Sequence, residues 1–198
     1  LASSSTSSSD SVLDIEKSRT ALVVVDLQKG ITSLPAAPHD SRTVVSNAAK
    51  LAEAFRNNGM PVFLVHVVAT EADRLNVRSD DQFQLRGPRP NDWSEFVPEI
   101  GPKDGDIIIG KRQWGTFFGT DLDLQLRRRK LETLVLCGIA TNYGVESTAR
   151  FAYEYGYQQI FAEDAMTSMS VEMHNASVNY ALRMMGRVRS TGQILRAL

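Results

Sequence analysis

Three stretches of the chain set reactive groups directly behind apolar, strand-like runs. Asp26 follows ALVVV at 21–25, and Lys111 follows DIIIG at 106–110. Gly144 closes the turn GIATNYG, which follows TLVLC at 133–137. A carboxylate that ends a buried strand has water on at most one side. Desolvation then raises its pKa, which suits it to general acid work. Lys111, two residues past a strand expected at 106–109, is followed by Trp114, Phe117 and Phe118 and so brings an ammonium beside apolar walls. The turn before Gly144 opens a helix, whose first N–H groups carry the positive end of its dipole and can cradle an oxyanion or a carboxylate. Gln28, Trp114 and Phe117, with Ala140, Thr141, Asn142 and Tyr143 of the turn, are the candidate substrate contacts. Taken singly, each feature also has an ordinary structural use: an Asp that caps a turn, a solvated lysine, core aromatics.

The elements that would gather these residues are those of a parallel sheet with crossover helices. TALVVV at 20–25 is apolar throughout, as a strand buried on both faces requires. A helix is expected at 42–58, with Val44, Val45, Ala48, Leu51, Ala52 and Phe55 on one face and Gly59 as its stop. Further strands are expected at 61–68, 106–109, 133–137, 157–162 and 188–190. Helices are expected at 121–130, 143–155 and 170–185, the last capped by Ser170, and at the C-terminus. Between them, residues 69–104 carry Pro88, Pro90, Pro98 and Pro102 and no clear periodicity. A connection of that length is usually functional, and this one is expected to cap the site and to contact a partner subunit. The fold class is therefore α/β, a three-layer α/β/α sandwich around a six-stranded parallel, Rossmann-like sheet. Residues 1–18 are read as a flexible Ser-rich tail, or the remnant of a targeting segment, and residues 19–198 as the one domain. The loops that follow strand C-termini share one sheet edge, where such sheets bind ligands.

Composition removes several function classes. The 198 residues are 42% hydrophobic and 23% charged, with a net charge of −1, which disfavours a nucleic-acid surface. The run Arg127–Lys130 ends a predicted helix, where cations complement the dipole. No apolar run is long enough to span a bilayer. The single cysteine, Cys137, excludes an intramolecular disulfide and fits a reducing, cytoplasmic setting. Lying inside an expected buried strand, it reads as a small core residue.

The strings ALVVVDLQ, KRQWGTFFGTDLDLQLR, LVLCGIATNYGVESTARFA and EDA, in this order, resemble the isochorismatase-like (cysteine hydrolase) superfamily across nearly all of residues 20–198. The resemblance implies a doubly wound parallel sheet, a homo-oligomer, and an Asp–Lys–Cys triad in amidase members such as nicotinamidases. Asp26 and Lys111 match that triad, whereas Gly144 stands where those members carry cysteine. It also implies a cis peptide in the GIAT turn, at Ile139–Ala140. Nicotinamidase-like members bind a metal through an Asp-x-His string plus a second His. Here His39, His66 and His174 are scattered, none of them in such a string, so no metal and no cofactor are expected.

Without a thiol, hydrolysis of an amide through an acyl-enzyme is excluded. Acid-catalysed hydrolysis of a small carboxylated enol ether needs no nucleophile from the protein, only a general acid, the role expected of Asp26 with Lys111 as its electrostatic partner. The resemblance implies that true isochorismatases also carry glycine at this turn. Bacterial isochorismatases have a Tyr-Ala-His-like string where this chain has Ala140-Thr141-Asn142-Tyr143, so the substrate-shaping side chains differ. Arg86 and Arg89 are further candidates for a substrate carboxylate. The competing expectation is a catalytically inactive member that binds a small anion or serves as a structural oligomer.

Overall fold

The computed structural model describes residues 13–73, 77–81 and 89–198. Arg86 and residues 1–12 of the expected tail lie outside them. The rest of that tail differs from expectation: Leu13 and Ile15 are buried in the hydrophobic core, so packing begins before residue 19. Two apolar side chains two apart, among polar neighbours, are enough to pin an extended segment to the core.

Six strands form one sheet, β1 (Thr20–Val25), β2 (Val62–Val67), β3 (Ile107–Lys111), β4 (Thr133–Ile139), β5 (Gln158–Thr167) and β6 (Arg187–Arg189). Their order is β3-β2-β1-β4-β5-β6, and every pairing is parallel. The helices are α1 (Lys29–Thr32), α2 (Ser41–Asn57), α3 (Leu122–Arg128), α4 (Glu146–Glu154), α5 (Val171–Ala176), α6 (Arg183–Met185) and α7 (Thr191–Ala197). All six residues of β1 are buried, as a central strand covered on both faces must be. After β1 the chain winds through α2 towards β2 and β3. After β4 it winds through α4 the opposite way, towards β5 and β6. Right-handed crossovers in opposite directions put those helices on opposite faces and leave a crevice between β1 and β4. Among the described residues, no helix is long and apolar enough to cross a membrane.

Three boundaries move, and each move bears on function. Lys111 is the final residue of β3, paired with Val67, rather than a loop residue two positions past a strand. β4 continues through Gly138 and Ile139. β5 runs on past 162 through Glu163, Asp164 and Ala165, with a register shift against β4 between Leu136 and Gly138. The helix expected at 170–185 is one helical run in which α5 and α6 flank a π-helical stretch, Ser177–Leu182.

Gly138 makes the extension of β4 possible. Its φ is +124°, and a Cβ built there would lie 2.0 Å from the carbonyl oxygen of Val25. No rotamer relieves a clash between a Cβ and a backbone, so Gly138→Ala must push β4 from β1. A loss of roughly 4 kcal/mol or more in unfolding free energy is expected, checked by urea denaturation.

Part of the long segment does cap the end of β1. Residues 92–97 run back along the chain that follows Asp26. Lys29 N–H donates to Glu95 O at 2.8 Å, Gly30 N–H to Trp93 O at 3.0 Å, and Val97 N–H to Leu27 O at 3.1 Å. The Lys29 ammonium bridges Asp92 and Glu95.

Candidate active site

Asp26 occupies the first position beyond β1 with φ +55°, in the left-handed region, which Asp tolerates better than most residues. Its N–H is still held by Val65 O at 2.9 Å, so the turn begins from a fixed sheet edge. Lys111 stands two strands away, at the end of β3. Two strand spacings amount to about 9–10 Å, a gap that needs a side chain as long as lysine's. Its Nζ lies 2.8 Å from Asp26 Oδ2 with the lysine side chain fully buried, and it also donates to the carbonyl of Trp114. Among the described residues, two of the three ammonium donors are thus assigned.

The other carboxylate oxygen, Asp26 Oδ1, is buried and has no hydrogen-bond partner among the described residues. Such an atom is costly unless it serves a ligand or carries a proton. Burial pushes the Asp26 pKa up. The charge and hydrogen bond of Lys111 pull it back, as does the charge of His66, but the net direction is upward. His66 was not among the candidates from sequence. It lies at the half-buried end of β2, where the string VFLVHV offered only a histidine near a strand end. Its Nδ1 is 2.8 Å from Ser94 O. A carbonyl only accepts, so Nδ1 carries the proton, and the ring stacks on Phe96 at 4.6 Å.

Gly144 completes the cluster. A Cβ at this position would stand 3.0 Å from Asp26 Oδ2, 3.0 Å from Lys111 Nζ and 3.0 Å from a Val25 methyl, so it would project straight onto the pair. The turn before it is a π-helical one, Thr141–Val145, closed by Val145 N–H donating to Ala140 O at 3.2 Å. The Ile139–Ala140 peptide is cis, as the resemblance implied. Thr148 Oγ1 donates to Gly144 O at 2.7 Å and meets Thr116 Oγ1 at 2.8 Å. The turn is thereby tied to the loop that follows Lys111.

The other candidates fall into two groups. Trp114 is 61% exposed, and its ring meets Tyr143 edge-on at 4.9 Å, so both stand beside the cluster. Thr141 is buried against His174, and Asn142 accepts from Ser168 Oγ. Gln28 spends both ends of its amide on backbone, accepting from Val67 N–H at 2.7 Å and donating to Trp93 O at 3.1 Å. Phe117 packs between Tyr155 and Tyr157. Among the described residues, neither of the last two makes a hydrogen bond to the Asp26–Lys111 pair. Arg89 donates to Ala69 O and lies over the Trp93 ring. Cys137 is fully buried in β4, its thiol pushed up to about 12 by burial alone, so no thiolate forms there near neutrality. Native protein is expected to show no labelling by a thiol reagent until denaturant is added. A surface cleft of about 630 Å³ runs along α2, but its lining contains no buried ionisable pair.

The isochorismatase domain family matches residues 20–193 of this chain. The chain belongs to the isochorismatase family. An uncharacterized isochorismatase family protein of Bacillus subtilis, YwoC, is 51% identical over 185 residues, covering 92% of this chain and 96% of its own. The solved structure of an isochorismatase family protein from Burkholderia thailandensis superposes with a TM-score of 0.89 at 39% identity, covering 95% of this chain and 99% of the other. Ureidoacrylate amidohydrolase RutB of Acinetobacter baylyi is 32% identical, covering 90% of this chain and 83% of its own. In this isochorismatase-family chain, Asp26 and the Gly144 turn flank the β1/β4 switch point, and Lys111 reaches it from the sheet edge.

Proposed function

We propose that this chain is a hydrolase that opens a small carboxylated enol ether by acid catalysis, with no covalent intermediate on the protein. The orphaned, buried Oδ1 of Asp26, beside an Oδ2 already held by Lys111, carries this reading. In the protonated state Oδ1–H donates its proton to the terminal enol carbon, and the C=C electron pair forms the new C–H bond. The carbon bearing the ether oxygen becomes an oxocarbenium centre. Water adds to it, returning one proton to Asp26, and the hemiketal collapses to a ketone and an alcohol. Lys111 and the backbone of the turn before Gly144 hold the substrate's carboxylate or ether oxygen. Membership of a hydrolase family that includes an amidohydrolase relative supports the reaction class. Purified protein incubated with isochorismate is expected to release pyruvate, followed with a coupled dehydrogenase. No release from isochorismate or from simpler pyruvate enol ethers would overturn the proposal.

A second reading is favoured by the direction in which position 144 points. A side chain there meets both members of the pair, so the site also fits an amidase that has lost its thiol and retains anion binding. Gly144→Cys is expected to create a thiol that iodoacetamide alkylates in the native state far faster than Cys137, because Lys111 stabilises its thiolate. Gain of amide hydrolysis in that variant, with no enol-ether turnover in the native protein, would favour the second reading.

A further inference from the structure

Outside the acid–base site, three side chains from distant parts of the chain converge on one point. His39 precedes α2, Glu163 lies in β5, and His174 lies in α5. His39 Nε2 is 2.9 Å from Glu163 Oε1, and His174 Nε2 is 3.1 Å from the same oxygen. All three candidate ligand atoms lie within 4.8 Å of one another.

We propose that His39, Glu163 and His174 form a binding site for one divalent transition-metal ion, with Zn2+ the best match to their donors. Two imidazoles and a carboxylate are a common donor set for zinc, with a fourth position left for water or another ligand. Ligand atoms held about 2.0–2.1 Å from zinc at tetrahedral angles lie about 3.3 Å apart. The two separations at Glu163 are slightly shorter, so side-chain shifts of a few tenths of an ångström open the space required.

The frame around these ligands is built. The His39 carbonyl accepts from Thr167 Oγ1 at 2.7 Å, and the loop before it is bridged to Ser168, the residue after β5, with Ala37 N–H to Ser168 O at 2.8 Å and Ser168 N–H to Ala37 O at 3.1 Å. His174 is fully buried, and its second ring nitrogen, Nδ1, is held 2.9 Å from Thr141 Oγ1. An outer hydrogen bond of that kind fixes the orientation of a metal-binding imidazole. When Nδ1 carries the proton, Nε2 keeps its lone pair for an ion. Exposure is graded across the cluster, 1% for His174 against 27% for His39 and 33% for Glu163, counting side chains. An ion therefore has a route in from the His39 side, and the fourth position faces solvent.

The site also bears on the acid–base centre. Thr141, which holds His174, opens the π-helical turn that ends at Gly144 and Val145. An ion at the cluster would brace β5, α5 and the loop before α2 against that turn, whichever chemistry the Asp26 site performs.

The test uses the chain without an affinity tag, stripped with a chelator and titrated with Co2+ and then Zn2+. Saturation at one equivalent, with visible cobalt bands of a low-coordinate N/O site that Zn2+ abolishes, is the expected result. Zn2+ is also expected to raise the unfolding midpoint. His39→Ala and Glu163→Gln should each weaken binding by about tenfold or more and remove the midpoint shift, while Glu172→Gln, on the exposed side of α5 away from the buried His174, leaves both intact. The substituted residues are partly exposed, and circular dichroism is the check that each variant is folded. Absence of saturable binding would overturn the proposal, as would binding that survives His39→Ala and Glu163→Gln combined in one chain. In either case the cluster is a hydrogen-bond clamp alone.

Discussion

Asp26→Asn is expected to lower enol-ether turnover by about 10²- to 10⁴-fold, the range that a positioned general acid contributes. The substitution keeps the shape of the side chain and lets the amide oxygen still accept from Lys111 Nζ, 2.8 Å from Oδ2 in the native pair. It removes only the exchangeable acid proton from the orphaned position Oδ1. KM should change much less than kcat, since the ammonium and the turn proposed to hold the substrate remain. The pH dependence has a definite sign. In the proposed mechanism the acid form of Asp26 is the active one, and burial raises its pKa, so native kcat is expected to fall as pH rises through that value, and the limb to disappear from whatever activity Asp26→Asn retains. The same shift acts on stability. A carboxyl whose pKa is higher in the folded state contributes stability at low pH that is lost as pH rises through the folded value. Initial rates of pyruvate release across a pH series check the claim. Unchanged turnover in the variant would remove Asp26 from the mechanism.

How much of this was legible in the sequence depended on the range of the interaction concerned. β1 was readable to the residue, because six consecutive buried positions need an unbroken apolar run. Asp26 was readable as the residue that follows β1, and Lys111 as a residue close behind a strand, though not as the last residue of β3. Their contact was not, because it spans β2 and depends on the order of strands in the sheet. The end of β4 was misplaced because Gly138, which breaks local strand propensity, is required there by the approach of the Val25 backbone. Gln28 illustrates the opposite difficulty. A polar residue two positions from the buried Asp26 carboxylate looks like a substrate contact, yet its amide is consumed by Val67 and Trp93, from two segments that no local pattern ties to it. The convergence of His39, Glu163 and His174 was invisible for the same reason. Its members are separated by 124 and 11 residues, and the bridge between Ala37 and Ser168, just past the end of β5, helps to bring them together.

The largest stability effect expected of a site substitution is that of Lys111→Met. Methionine fills nearly the same fully buried volume, so packing survives while the charge and two hydrogen bonds are lost. Asp26 then faces burial without its principal counter-charge. Breaking one side of a buried pair costs about 3–5 kcal/mol, and that cost should depend on pH. Lys111 is the largest influence holding the Asp26 pKa down, so its removal sends that pKa further up. Below the new value Asp26 is protonated and the penalty shrinks; above it the fold carries a buried, unpaired anion, or takes up a proton to avoid one. The gap in unfolding free energy between native protein and Lys111→Met is therefore expected to widen as pH rises, measured by urea denaturation at several pH values. Adding Asp26→Asn to Lys111→Met removes the stranded charge and should restore much of the loss, because replacing both members of a buried pair is far less costly than removing one. A double variant as unstable as Lys111→Met would show that the lysine acts through packing and its bond to Trp114, and the electrostatic account of the pair would fall. Stability and catalysis separate in this cycle: the double variant is expected to be more stable than Lys111→Met at neutral pH, while lacking both the acid and the cation of the proposed mechanism.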